Sequence, residues 1–107
     1  QSFAETCFAD NDRPVVILQD DRFSGTLSIT LCPFTSNPTP APLFRLPITP
    51  NERNGLAVSS SLMVDKIMTV PKTKVGARIG RLDDSDLVRL NRAVVVFLGL
   101  AGASAED

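Results

Sequence analysis

The chain has 107 residues, of which 43% are hydrophobic and 21% are charged, and its formal net charge is −1. This length supports a single domain, 1–107, with one core. The chain contains no His, which excludes hydrolases and metal sites that depend on imidazole. No apolar run reaches the roughly 20 residues that span a bilayer, and no charged leader opens the chain. We therefore expect no membrane contact.

The two cysteines, Cys7 and Cys32, are far apart in sequence. Their separation fits neither a zinc-binding motif nor a small disulfide scaffold. We therefore predict a cytoplasmic protein without a metal.

Short apolar runs separated by turn residues predict a mainly β domain. Alternation in residues 3–8 permits a short first strand, although 1–12 are otherwise hard to assign. Five further runs are predicted as strands: Arg13–Gln19, Thr26–Phe34, Leu43–Ile48, Ser61–Val70 and Lys74–Ile79. The first of these is apolar on both faces, which is typical of a strand buried on both sides. In the second, Leu27, Ile29 and Leu31 are expected to share the buried face.

A helix follows the last strand. Asp83 or Asp84 is expected to cap its start, and Gly99 to end it. An apolar stripe at helical spacing predicts a core or dimer contact: Leu87, Leu90, Val94, Phe97 and Leu98. Short strands with tight turns and one C-terminal helix favour a small, strongly bent β-barrel.

Two strand ends carry side chains suited to a phosphate. Arg13 opens one apolar run and Thr35 follows the next, so a rigid sheet can hold a guanidinium and a hydroxyl against one ligand. The residues alone leave alternatives open. Arg13 can pair with Asp12 or Asp20, and Thr35 can make a turn hydrogen bond.

Basic residues are concentrated between Met63 and Leu82, a segment that contains five basic residues and one acidic residue. Such a strip on a nearly neutral protein suits a polyanion bound at one place. A solvated hairpin face is the alternative.

Five short motifs together resemble the MazF/PemK family of toxins from bacterial toxin–antitoxin pairs, over residues 13–101. They are Arg13-Pro14-Val15-Val16-Ile17, Thr35-Ser36, Val64-Asp65-Lys66-Ile67, Ile79-Gly80-Arg81-Leu82 and Phe97-Leu98-Gly99-Leu100. The resemblance implies an SH3-like β-barrel of the CcdB/MazF/PemK type with a C-terminal α-helix. It further implies a homodimer that is neutralised by a cognate antitoxin.

The activity implied by the resemblance is a sequence-specific endoribonuclease that cuts single-stranded RNA without a metal or cofactor. The ribose 2′-hydroxyl is the nucleophile in related toxins. By motif position, Arg13 and Thr35 are the expected catalytic residues. The expected RNA-binding residues are Phe34, Ser36, Lys66, Lys72, Lys74 and Arg78, although Phe34 at a strand end also fits a core position.

The segment 1–12 departs from the family pattern, and we expect it to be atypical or truncated. Some members carry an assisting carboxylate before the Arg-Pro pair, for which the candidates here are Asp10, Asp12 and Glu5.

Two other functions suit the same fold. A gyrase-poisoning toxin of the CcdB type relies on a C-terminal Trp, and this chain has no Trp. A catalytically silent relative that binds RNA or an antitoxin is the other alternative.

Overall fold

The computed structural model describes residues 3–9, 13–19, 22, 25–37 and 44–100. Within them lie seven antiparallel strands and one α-helix. The strands are β1 (Glu5–Ala9), β2 (Arg13–Ile17), β3 (Ser28–Thr35), β4 (Arg45–Ile48), β5 (Ser60–Met63), β6 (Met68–Pro71) and β7 (Val75–Arg81), and the helix is α1 (Asp84–Phe97).

The strands form one sheet in the order β4-β5-β3-β2-β1-β7. The long strand β3 is its centre, because it pairs with β2, with β6 along Ser28–Leu31, and with β5 through Phe34 and Thr35. Its eight residues therefore hold three neighbours in fixed register.

The expected closed barrel is wrong. Among the described residues, the strands at the two ends of the order, β4 and β7, do not pair with each other. Strand β4 is short and contains Pro47, which lacks an N–H and so suits an edge strand rather than an internal one. The fold is therefore an open, mainly β sheet with a C-terminal helix.

Two apolar clusters lie on opposite faces of β2 and β3. Val16, Cys32 and Phe34 belong to the cluster that contains Leu90 of α1, whereas a second cluster holds Val15, Ile17, Ile29 and Leu31 with residues of β1 and β7. The prediction that β2 is buried on both faces is confirmed. The prediction for β3 is confirmed for Ile29 and Leu31, but Leu27 is 89% exposed.

The single strand predicted over Ser61–Val70 is wrong, since the structure has β5 and β6 separated by a 3-10 turn, Val64–Lys66. Val64 is fully buried and its N–H donates to the Phe44 carbonyl at 3.0 Å. Asp65 forms an ion pair with Arg45 on β4. These contacts hold the chain out of the ladder as it passes from one end of β3 to the other.

The helix boundaries agree with the prediction. Asp83 is the N-cap residue and α1 ends at Phe97, two residues before Gly99, whose φ is +76°. The Asp83 carboxylate does not cap its own helix; it accepts a hydrogen bond from the Asn51 amide at 2.8 Å. Leu90 is fully buried, but Phe97 is 45% exposed, so the predicted stripe is only partly core.

Both cysteines are free and buried. Burial first, and then the nearby Asp65 carboxylate, raise the pKa of the Cys32 thiol to about 12. Burial, and then Glu5, also raises the pKa of Cys7. Neither thiol therefore ionises readily in the folded chain.

We expect the free energy of unfolding to decrease as the pH rises from about 8.5, the ordinary thiol pKa, towards 12, because the unfolded chain loses thiol protons that the folded chain keeps. Denaturant titrations between pH 8 and 11 measure this. Cys32→Ala should reduce the pH dependence although it lowers stability at pH 8. An equally steep pH dependence in that variant contradicts the assignment.

Candidate functional site

The register of β2 and β3 brings the two predicted catalytic residues together. Val15 pairs with Pro33 in this antiparallel ladder. Continuing the register by two residues puts Arg13 opposite Thr35. Since side chains alternate between the two faces of a sheet, both then belong to the face that carries Val15 and Pro33.

Arg13 and Thr35 line one cavity of about 340 Å³, which we call the strand-end cavity. It lies where β2 begins and β3 ends. Its lining residues are Arg13, Pro14, Phe34, Thr35, Ser36, Val58 and Ser60. Two predicted catalytic and two predicted RNA-binding residues therefore share one site.

The polar groups of this cavity can bind an anion. Arg13 is exposed, and no carboxylate within the described ranges forms an ion pair with it; Asp12 and Asp20 lie outside those ranges. Thr35 Oγ1 accepts a hydrogen bond from the Asn37 N–H at 3.1 Å. A hydroxyl that accepts still has its own proton to donate, so Thr35 can donate to a phosphate oxygen beside the guanidinium.

A second cavity of about 350 Å³ adjoins the first at Arg13, and we call it the cationic cavity. Lys66 and Lys74 line it together with Arg13. Its remaining lining is largely apolar: Ala9, Val15, Leu31, Pro33, Met63, Met68 and Val70. The lining of this cavity thus combines three cationic side chains with apolar ones.

Two other predicted RNA-binding residues line neither cavity. Lys72 is in the same 3-10 turn as Lys74 but is absent from both linings. Arg78 on β7 forms a 3.0 Å ion pair with Glu5. Glu5 begins β1, whereas Ala9 at the other end of β1 pairs with Arg13, so Glu5 is distant from the strand-end cavity along the strand. Asp10 and Asp12 lie outside the described residues.

Phe34 belongs both to the lining of the strand-end cavity and to the hydrophobic core. It lines the strand-end cavity, but only 6% of it is exposed and it packs in the cluster below α1. This burial favours the core alternative over base stacking.

Val58 and Ser60 are cavity residues that the sequence analysis missed. Ser60 Oγ donates to the Val58 carbonyl at 3.0 Å. They reach the cavity because β5 pairs with β3, with Ser61 opposite Thr35. The Ser59-Ser60-Ser61 run at the start of β5 was the available signal, but the sequence does not show that Ser61 pairs with Thr35, 26 residues earlier.

Within the described ranges, no three His, Cys, Asp or Glu side chains lie together as metal ligands. No helix there has the length and apolarity that crossing a membrane requires.

Comparison with known proteins identifies the family. Residues 5–98 match the family described as PemK-like, MazF-like toxin of type II toxin-antitoxin system. The chain belongs to this toxin family. A Mycolicibacterium smegmatis protein named probable endoribonuclease MazF is 50% identical over 99 residues, which cover 92% of this chain and 91% of that protein.

Solved structures of MazF toxins share the fold. Mycobacterium tuberculosis toxin MazF-mt6 superposes with a TM-score of 0.76 at 26% identity, covering 86% of this chain and 93% of the other. An endoribonuclease from a mycobacterial species, in complex with its cognate antitoxin, gives a TM-score of 0.80 at 19% identity, with coverage of 94% and 96%. The family resemblance of the motifs is confirmed.

Proposed function

We propose that this MazF-type toxin cleaves single-stranded RNA and that Arg13 and Thr35 are its catalytic residues. The supporting observation is that both line one cavity at the adjoining ends of β2 and β3. The 50% identical M. smegmatis relative is named as an endoribonuclease, which supports the reaction class.

The proposed reaction uses the substrate's own nucleophile. The ribose 2′-oxygen attacks the adjacent phosphorus, the bond from phosphorus to the 5′-oxygen breaks, and the proton lost from the 2′-hydroxyl is balanced by one gained at the leaving oxygen. The products are a 2′,3′-cyclic phosphate and a 5′-hydroxyl. This chemistry needs the phosphate held in line and its developing charge stabilised, and no step requires a metal.

Arg13 is suited to electrostatic stabilisation. Its planar fork can donate to two phosphate oxygens at once, and its positive charge can stabilise the negative charge that develops on them. We therefore assign it chiefly charge stabilisation rather than proton transfer. Thr35 adds a hydroxyl donor beside it.

Removing either catalytic group should nearly abolish cleavage. We expect Arg13→Ala and Thr35→Val each to lower the cleavage rate about 10²-fold or more, as loss of a donor to a reacting oxyanion does. Single-turnover rates on a single-stranded RNA pool in EDTA measure this. Arg92→Ala and Thr73→Val change exposed residues outside both cavities and should cleave normally.

Intact RNA after incubation with the folded wild-type chain would support the catalytically silent alternative. Full activity in Arg13→Ala would refute the assigned site.

We further propose that RNA on one side of the scissile phosphate occupies the cationic cavity. Lys66 and Lys74 then bind flanking phosphates, since both line it. Ser36, exposed in the strand-end cavity, contacts the RNA on the other side. This path leaves Lys72 and Arg78 outside, and the buried Phe34 contributes packing rather than stacking.

The path predicts different effects for two lysines of one turn. Lys74→Gln should weaken RNA binding and reduce the slope of log K against log salt by about 1, as expected for one lost phosphate contact. Lys72→Gln is the matched control and should change the slope much less. Binding titrations at several salt concentrations test this, using an Arg13→Ala background so that the RNA stays intact. Equal effects contradict the path.

A cognate antitoxin and a second copy of the chain are the proposed partners. A structure of similar fold is a complex of an endoribonuclease with its cognate antitoxin. The end of α1 and the residues directly after it support homodimerisation, because they expose large apolar side chains that are close in sequence: Val95, Val96, Phe97, Leu98 and Leu100. Contiguous apolar surface of this kind usually marks an interface. The SH3-like arrangement implied by the resemblance remains a prediction for the open sheet.

If this surface is the dimer interface, a charge within it should separate the copies. We expect Phe97→Asp to sediment as a monomer and wild type as a dimer, because an unpaired charge is costly to bury. Leu27→Asp, which changes an 89% exposed residue directly before β3, is the control and should remain dimeric. A dimeric Phe97→Asp variant would place the interface elsewhere.

A further inference from the structure

The segment between β4 and β5, residues 49–59, contributes Val58 to the lining of the strand-end cavity, and we call it the wall loop. Val58 lines that cavity, with Ser60 directly after the loop. Val58 and Ala57 also line a neighbouring, mostly apolar slot of about 230 Å³, across from Phe8 and Ile79. The loop therefore lies where nucleotides next to the scissile phosphate would pass.

Asn54 organises this loop from inside. It is fully buried, and its Oδ1 accepts hydrogen bonds from the N–H groups of Asn51 at 3.1 Å and Leu56 at 3.0 Å. Its Nδ2 donates to the Thr49 carbonyl at 2.9 Å. The Asn54 side chain thus pairs backbone groups that a β-ladder would pair in a regular strand. Leaving these buried groups unpaired would lower the free energy of unfolding.

The loop is also locked onto the sheet. The buried Thr6 hydroxyl of β1 donates to the Asn54 carbonyl at 2.7 Å, and the Arg81 N–H of β7 donates to the Arg53 carbonyl at 2.8 Å. The contact at Gly80 is so close that an added Cβ would lie 2.1 Å from the Arg53 oxygen. Only glycine admits this approach.

We propose that Asn54 is a positioning residue for the cleavage site: by holding the wall loop in one conformation, it determines which nucleotides beside the scissile phosphate are accepted. The inference rests on the proposed function. A rigid wall loop discriminates between nucleotides by shape, because binding a nucleotide that does not fit requires free energy to distort the loop. Asn54 touches none of the reacting atoms; it acts through Val58 and Ser60.

The first variant is Thr6→Val, which removes the hydroxyl that donates to the main-chain carbonyl of Asn54. It loosens the hold on the wall loop, keeps the size of the Thr6 side chain and leaves the Asn54 side chain unchanged. Asn54→Asp is the second variant, since it loses the donor to Thr49. The measurement is the cleavage rate at every site of a random single-stranded RNA pool, expressed relative to the most rapidly cut site. We expect both variants to keep Arg13-dependent cleavage but to reduce discrimination between preferred and secondary sites about tenfold, the effect of one buried hydrogen bond.

Thr69→Val is the matched control. It also removes a threonine hydroxyl from a side-chain hydrogen bond, here with Thr30 at 2.8 Å on the exposed face of β6 and β3, and should leave the site preference unchanged. If Asn54→Asp does not fold, Thr6→Val alone decides.

Rates that fall by the same factor at all sites, or unchanged rates, would show a purely structural role and overturn the inference while leaving the proposed function intact. RNA left uncut by the wild-type chain would overturn the proposed function and this inference with it.

Discussion

The antiparallel register between β2 and β3 is the constraint on which the site depends. Val15 opposite Pro33, Val16 opposite Cys32 and Ile17 opposite Leu31 put Arg13 level with Thr35. A slip by one residue would exchange the two faces of β2. Val15, Val16 and Ile17 are all buried, so such a slip would require both apolar clusters to repack around side chains of different shape. The hydrophobic core therefore fixes the distance between two polar groups at its edge.

The chemistry of the site follows from which groups are held there. We propose that the guanidinium of Arg13 and the alcohol of Thr35 bind and stabilise a phosphate through charge and hydrogen bonding. The two cysteines are kept neutral by burial and contribute packing. A chain without His can thus still catalyse RNA cleavage, provided that the ribose supplies the nucleophile.

Local signals in the sequence were sufficient for β2, the end of β3 and the boundaries of α1. Pro14 and the β-branched run, the Thr35-Ser36 pair and Gly99 each act within a few residues, so their structural effects can be inferred directly. The start of β2 and the end of β3, which carry the proposed catalytic residues, could be predicted for the same reason.

Features that depend on contacts between residues distant in sequence could not be predicted from the sequence. The break between β5 and β6 arises from the Asp65 ion pair with Arg45 and from the burial of Val64, which no local pattern encodes. The basic strip was visible as composition, but only folding separates Lys66 and Lys74, which line the cationic cavity, from Arg78, which pairs with Glu5. The contact of Asn54 with Thr6 likewise depends on the tertiary structure.

We propose that Arg13 and Thr35 act on a phosphate that is attacked by the neighbouring ribose. An RNA that carries one 2′-deoxyribose at the nucleotide before a mapped cleavage site tests it most directly. We expect this substrate to bind with unchanged affinity but not to be cut at that bond, while the all-ribose RNA yields a 2′,3′-cyclic phosphate. Cleavage of the deoxy-substituted bond at the normal rate would show that the ribose 2′-hydroxyl is not the nucleophile.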